Sequence, residues 1–344
     1  MRQLSNKLQC LAVLTAFFIG FTAPVEAAEK IDLEADFGFA ADESMETEDY
    51  YELEASLKFE FDIEDDFEVA LDLEADRFEV EIDELSFKWK ARDYAYLLFG
   101  KFENALTLDE YMSAGDRPFG TKSPVSNLLD THGYTSSALG VKAYRKYKQE
   151  GRPLSYFLEA AFLPAHTEMR VDLGFLYHFN GEESYAGIMA CYLPYALHEY
   201  WLEEEDEGET HNFVVNLAWA DHETRLVYGL EATAGSNLLD PIGLINTPGK
   251  GERSWFLGGD AYLGYRLQPG KIDWMPAVRV SVLFPELTVM EANQVEVRWG
   301  NFIRFSKDIK LHVDGGLAVI TRYDGDTLYT RLDPLWAVNF RVEI

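Results

Sequence analysis

The sequence predicts an all-β chain, a transmembrane antiparallel β-barrel of about sixteen strands (between about 12 and 18) with short periplasmic turns and long external loops. Three observations carry that prediction. Hydropathy alternates with period two along most of the chain, aromatic residues gather near the ends of the alternating segments, and connection lengths obey a parity.

Alternation is visible from the first segment. Ile31, Leu33, Ala35, Phe37 and Phe39 interleave with Asp32, Glu34, Asp36 and Gly38. Tyr51, Leu53, Ala55, Leu57, Phe59 and Phe61 interleave with Glu52, Glu54, Ser56, Lys58 and Glu60, and Phe67, Val69, Leu71 and Leu73 with Glu68, Ala70, Asp72 and Glu74. Further along come Met169-Val171-Leu173-Phe175-Tyr177, Phe213-Val215-Leu217-Trp219, Trp255-Leu257-Gly259-Ala261-Leu263-Tyr265 and Val295-Val297-Trp299. A strand sends successive side chains to opposite faces, so each segment has one apolar and one polar face. Both a soluble sandwich and a membrane barrel use such strands.

The aromatics and the connections separate the two. Tyr and Trp fall near segment ends (Tyr50, Tyr51, Trp89, Tyr94, Tyr144, Tyr147, Tyr200, Trp201, Trp219, Trp274), where the interfacial girdles of a barrel belong. Segments of about nine to twelve residues suit a tilted bilayer crossing, whereas soluble strands average about five or six. Counted from a periplasmic start, the even connections fall near 62–66, 90–93, 149–153, 180–184, 221–224, 268–272 and 306–308, all short and polar. The long connections, near 102–136, 194–211, 235–253 and 285–293, are all odd. A barrel imposes that parity; a sandwich does not. The chain ends on Trp336-Val338-Phe340-Val342-Ile344, an alternating strand running to the last residue. Phase slips at Asp83-Glu84 and Asp333-Pro334 read as bulges or strand boundaries.

Residues 1–27 read as a cleaved secretory signal peptide, leaving 28–344 as a single barrel domain. Arg2 and Lys7 precede an apolar run from Leu8 to Pro24, and Val25-Glu26-Ala27 fits a small-x-small cleavage site. Cleavage would remove Cys10 and leave Cys191, which has Met189, Tyr192 and Leu193 around it and reads as a small packed hydrophobe. No later segment approaches the ~18 consecutive apolar residues that a spanning helix needs. Sixty acidic against thirty basic residues, a formal charge of −30, exclude a nucleic-acid partner, which would demand neutralised phosphates. The 14% aromatic content excludes an acidic disordered chain.

If the apolar phase meets lipid, the polar phase lines the lumen, and about sixteen strands enclose a channel rather than a filled core. Asp32, Glu34, Asp36, Glu52, Glu54, Glu60, Glu68, Asp72 and Glu74 then make an acidic wall on the early strands. Basic residues gather on the following ones (Lys88, Lys90, Lys101, Lys142, Lys146 and Lys148), joined later by Arg279, Arg298 and Arg304. The longest connection, 102–136, mixes apolar anchors (Leu106, Leu108, Tyr111, Met112, Phe119) with Asp109, Glu110, Asp116, Arg117 and Lys122. It reads as a constriction loop folded into the pore, or as an external loop covering the mouth. In the first case Asp109, Glu110, Asp116 and Arg117 face Lys88, Lys90, Lys101, Lys142 and Lys146 across the narrowest level.

Phe99-Gly100-Lys101-Phe102, the stretch Leu106 to Gly120 and Ala138-Leu139-Gly140-Val141-Lys142 together resemble the phosphate-selective porin O and P family, over roughly residues 85–145. The resemblance implies a sixteen-stranded, trimeric porin whose arginines and lysines select anions. The acidic wall departs from that pattern.

Enzyme signatures fail. No phosphate loop, dinucleotide fingerprint or nucleophile elbow appears, and the histidines lack metal-ligand spacing. Asp130, His132, Ser136 and Ser137 crowd one segment but cannot easily converge as a triad. The run Glu203 to Glu207 reads as a solvated loop, with divalent cations bridging lipopolysaccharide as the alternative. The sequence thus predicts a passive outer-membrane diffusion channel for small hydrophilic solutes or ions, preferring cations, with no cofactor, metal or catalytic residue. Its expected partners are outer-membrane lipid and lipopolysaccharide, the barrel assembly machinery and two further copies of itself. A phosphate- or anion-selective porin, a plugged structural barrel and a barrel hydrolase are the alternatives.

Overall fold

The computed structural model describes residues 30–41, 52–64, 66–76, 79–92, 95–102, 106–111, 117–131, 134–135, 137–147, 153–162, 169–193, 212–237, 245–246, 254–285, 287, 290–306, 309–324 and 327–343. The signal peptide, the acidic run 203–207, His132, Ser136, Lys148 and Asp116 lie outside them.

The strands in chain order are β1 (Lys30–Ala41), β2 (Glu52–Glu64), β3 (Phe67–Asp76), β4 (Glu79–Arg92), β5 (Ala95–Phe102), β6 (Ala138–Arg145), β7 (Leu154–Phe162), β8 (Met169–Gly181) and β9 (Ser184–Leu193). They continue as β10 (Asn212–Asp221), β11 (Leu226–Asn237), the two-residue β12 (Ile245–Asn246), β13 (Ser254–Tyr265), β14 (Asp273–Phe284), β15 (Asn293–Ser306), β16 (Ile309–Asp324) and β17 (Thr327–Glu343). Two short helices, α1 (Leu108–Tyr111) and α2 (Pro124–Thr131), lie between β5 and β6. Apart from β12, every strand pairs antiparallel with its chain neighbours, and β1 pairs with β17. Among the described residues, sixteen long strands therefore close a barrel with no free edge. The small β12 pairs parallel with Tyr323 and Asp324 at the outer end of β16.

The predicted phases sort as expected. The apolar phase is exposed on the outside: Leu173, Phe175 and Tyr177 on β8, Leu217 and Trp219 on β10, Leu257 and Leu263 on β13, Val297 and Trp299 on β15, Trp336 and Phe340 on β17. The opposite phase is inward and mostly buried, as in β7, where Ser155, Glu159 and Ala161 alternate with exposed Leu154, Tyr156, Leu158 and Phe162. This inverts a soluble protein, and it is what lipid outside and polar groups inside require. Trp89, Tyr156, Tyr177, Trp219, Tyr265 and Trp274 form an outward ring near the short turns, and Phe162, Tyr192, Phe213 and Trp255 form another near the long connections. Ten residues separate Trp255 from Tyr265 on β13. At ~3.4 Å per residue and a tilt of ~40°, that is roughly 26 Å of height, the span of a lipid-facing band.

The slip at Asp83-Glu84 is a bulge: Asp72 pairs with Glu84 while Leu73 pairs with Ile82, so Asp83 is the extra residue. Asp333-Pro334 is no slip. The β16–β17 register runs through it unbroken, because Pro334 replaces an outward residue opposite Leu317 while Asp333 stays inward. Two aromatics assigned to girdles also belong elsewhere. Tyr144 faces the lumen and stacks on Tyr96, and Tyr147 packs on the buried His178 ring.

Candidate functional site

The β5–β6 connection does not cover the mouth from outside. Its described parts fold into the barrel and cross to the far wall. The local sequence dictates the helices. Ser123 caps α2, accepting the Ser126 N–H on its hydroxyl at 3.1 Å, and Pro124 fills the first helical position, where a missing N–H costs nothing. Val125, Leu128 and Leu129 then share one helical face and are fully buried. Asp109 in α1 accepts the Ser123 N–H at 2.7 Å and the Ser126 hydroxyl at 3.1 Å, tying the two helices together.

The apolar face docks on the inner surface of β8 to β14. Leu106, Leu108, Phe119, Val125, Leu128, Leu129 and Tyr134 join Leu176, Met189, Cys191, Val214 and Phe256 in one buried cluster. Each fully buried leucine or valine contributes roughly 1.5–3 kcal/mol. Gly258 on β13 makes room for the contact, since a Cβ there would lie 2.4 Å from Val125 Cγ2. Burial pushes the Tyr111 hydroxyl up to about 12, so it stays protonated beside Ser155. Tyr134, also raised by burial, donates to the Ser236 carbonyl at 3.2 Å.

Residues 117–123 are held by polar side chains from four consecutive strands. Arg279 of β14 donates to the carbonyls of Thr121 (2.9 Å) and Lys122 (3.1 Å), and its guanidinium lies 4.8 Å from the Phe119 ring centroid. Arg298 of β15 reaches the Thr121 hydroxyl at 3.0 Å. Asp314 of β16 accepts the Gly120 N–H at 2.7 Å, and Asn339 of β17 donates to the Gly120 carbonyl at 2.6 Å. His312 contacts the Arg117 carbonyl at 2.9 Å. From β11, Glu231 accepts the Leu108 N–H at 2.5 Å. Arg279 and Arg298 stand directly opposite each other, a like-charge pair that costs energy on a bare sheet. Here Asp109 at 3.8 Å, Glu296 at 2.9 Å and the loop carbonyls offset it.

The expected constriction residues divide accordingly. Asp109 is in the loop but engages α2 and Arg279, and Arg117 is held through its carbonyl. Glu110 lies in α1, with its side chain outside the described set, as Asp116 is entirely. Lys88 and Lys90 face the lumen, Lys88 in an ion pair with Glu68. Lys142 pairs with Glu159 at 3.2 Å, within a buried network that continues to Arg170 (2.9 Å) and Asp172 (2.8 Å). Lys146 is lumen-facing and exposed. Lys101 is a correction. It stands opposite Leu85 and Leu139, both exposed to the outside, and donates to the Ile82 carbonyl, so it belongs to the lipid-side face near the outer rim. A long stem can lie along the apolar surface there while the ammonium reaches the polar edge.

The acidic wall shares one register phase. Asp32 stands opposite Lys58, which stands opposite Asp72; Glu34 leads through Ser56 to Glu74, and Asp36 through Glu54 to Asp76. Glu60 is opposite Lys30, and Glu52 opposite Gly38. Glu68 and Asp72 continue that phase to Lys88 and Glu84 on β4, beside the buried Ser86. Of the hydrolase candidates, Asp130 engages Lys122 and Thr135, and His132 and Ser136 lie outside the described residues. The residues that hold the loop, Glu231, His312, Asp314 and Asn339, escaped the sequence reading. Their one signal was an inward phase in a strand, which names no partner.

No family model and no curated relative matches the chain. Solved structures do. The chain is similar to Salmonella typhi OmpF, solved in complex with daunomycin (TM-score 0.62, 12% identity, 92% of this chain and 97% of that one). It is similar to Vibrio cholerae OmpT in its trimer form (TM-score 0.59, 10% identity, 92% and 98%). It is also similar to an anion-selective porin from Comamonas acidovorans (TM-score 0.59, 10% identity, 92% and 99%). The fold is that of outer-membrane porin barrels. The resemblance to the phosphate-selective O and P family rests on its residues alone.

Proposed function

We propose that the chain is a passive diffusion channel of the bacterial outer membrane for small hydrophilic solutes and ions, and that it prefers cations. The observation that carries this reading is a closed barrel, apolar outside, whose longest connection packs against the inner wall in its described parts. The loop packs against the β8–β17 side, while the described inward charges of β3 and β4 keep contact with solvent: Glu68 and Lys88 are 26% and 20% exposed. Solutes would pass between the loop and this accessible arc, down their own gradient. Acidic register positions on β1 to β4 outnumber basic ones there, and a pore wall dominated by one sign enriches the opposite ion. On the far wall, Arg279 and Arg298 are committed to the loop and offer little to passing anions. Likeness to a trimeric barrel supports a trimer, and no catalytic role is proposed.

Single-channel recording of refolded protein in a KCl gradient tests this. Stable channels with a potassium-selective reversal potential are expected. Chloride selectivity blocked by phosphate would instead support the anion reading. A plugged barrel, which the dry packing of the loop favours, would be silent while folded.

A further inference from the structure

The inner wall carries a feature that ion permeation does not use. Along one level of the sheet, near its short-turn end, the register sets Lys90 opposite Tyr96, Tyr96 opposite Tyr144, and Tyr144 opposite Phe157. All four lie on the inward phase. The Tyr96 and Tyr144 rings stack with centroids 5.2 Å apart and planes 17° from parallel. Phe157 abuts the buried cluster under the loop, whereas Tyr96 lies at the accessible end. Two ammonium groups approach the Tyr96 ring, Lys146 at 5.6 Å and Lys88 at 6.0 Å from its centroid. Both distances are near the outer limit of a cation–π contact, about 6 Å; Lys88 is already paired with Glu68, so Lys146 is the lysine that can turn to a better partner.

The surrounding charges decide what that partner is. Glu68 already engages Lys88, Glu84 accepts from Ser86 at 2.5 Å, and Glu159 lies between Lys142 and Arg170. Among the described residues Lys146 is exposed and makes no ion pair, and Lys90 stands opposite Tyr96 at the end of the aromatic row. A bare inorganic anion gains nothing from ring faces, whose potential is negative, and a cation meets the lysines. A flat ring bearing a carboxylate satisfies both halves: its face against tyrosine, its charge against ammonium.

We infer that Tyr96, Tyr144 and Phe157, with Lys88, Lys90 and Lys146, form a shelf that binds small aromatic carboxylates at the inner end of the lumen. The inference rests on the channel reading for its purpose, though binding itself does not depend on conductance. Benzoate is the probe, with acetate and cyclohexanecarboxylate as controls, in calorimetry on the refolded full-length barrel and in single-channel recording. Benzoate should bind and interrupt current where acetate does neither, with cyclohexanecarboxylate weaker. Lys146→Gln, an exposed change that leaves the fold intact, should weaken benzoate about fivefold, and Tyr96→Leu by a similar factor. Benzoate binding no better than acetate, with channels intact, overturns the shelf alone, as does benzoate binding that neither variant changes. A folded barrel that binds benzoate but never conducts overturns the channel reading and leaves the shelf standing.

Discussion

Arg279 and Lys88 both point into the lumen and both meet a carboxylate, yet their surroundings differ. Arg279 is 2% exposed, enclosed by loop carbonyls, Asp109 and the Phe119 ring. Lys88 is 20% exposed and shares its wall with Glu68, Tyr96 and solvent. The same residue chemistry on one inner surface therefore does two jobs. On the loop side charges are structural, and removing one leaves buried carbonyls unpaired. On the accessible side they are screened, contribute little to stability, and stay in contact with solvent.

This contrast can be broken by substitution. Arg279→Met should have the largest effect, roughly 3–5 kcal/mol, because it strands two loop carbonyls and Asp109. Thermal unfolding would register the loss, and trypsin would gain access to Lys122. Next comes Leu217→Arg on the outer face, expected to cost about 2–4 kcal/mol if that position meets the middle of the bilayer. Urea unfolding in lipid vesicles measures it, and a negligible cost would put the outer face wrong side round. Asp314→Ala removes the acceptor of the Gly120 N–H and should cost about 1–3 kcal/mol, with larger and noisier conductance. Smallest in stability is Glu68→Gln, below ~1 kcal/mol for a part-exposed pair. It should still move the reversal potential toward chloride; an unchanged potential would remove Glu68 from the selectivity wall.

The barrel was legible because lipid acts on every strand alike. Leu173, Leu217, Leu263 and Val297 declare one phase each, and parity of the connections needs no knowledge of contacts. The inward loop was half legible, through the apolar anchors Leu106, Leu108 and Phe119 in an otherwise polar connection. Its attachment was not, because Gly120 meets Asp314 and Asn339, partners some two hundred positions away that no local pattern encodes. Lys101 was misplaced for a different reason. Its charge suggested the lumen, while its phase, shared with Phe99, already pointed outward. At strand ends near the rim, phase outranks polarity.

The hold on Gly120 has a consequence for assembly. Its partners lie on β16 and β17, the strands nearest the C-terminus. The polar hold on Gly120 is therefore complete only once these last strands are in place, whereas the apolar face of the loop has its partners on β8 to β14 before them. A truncation that spoils β17 would do more than open a seam. It would also take away Asn339 and leave the Gly120 carbonyl without its side-chain donor, loosening one end of a loop still anchored by its apolar face.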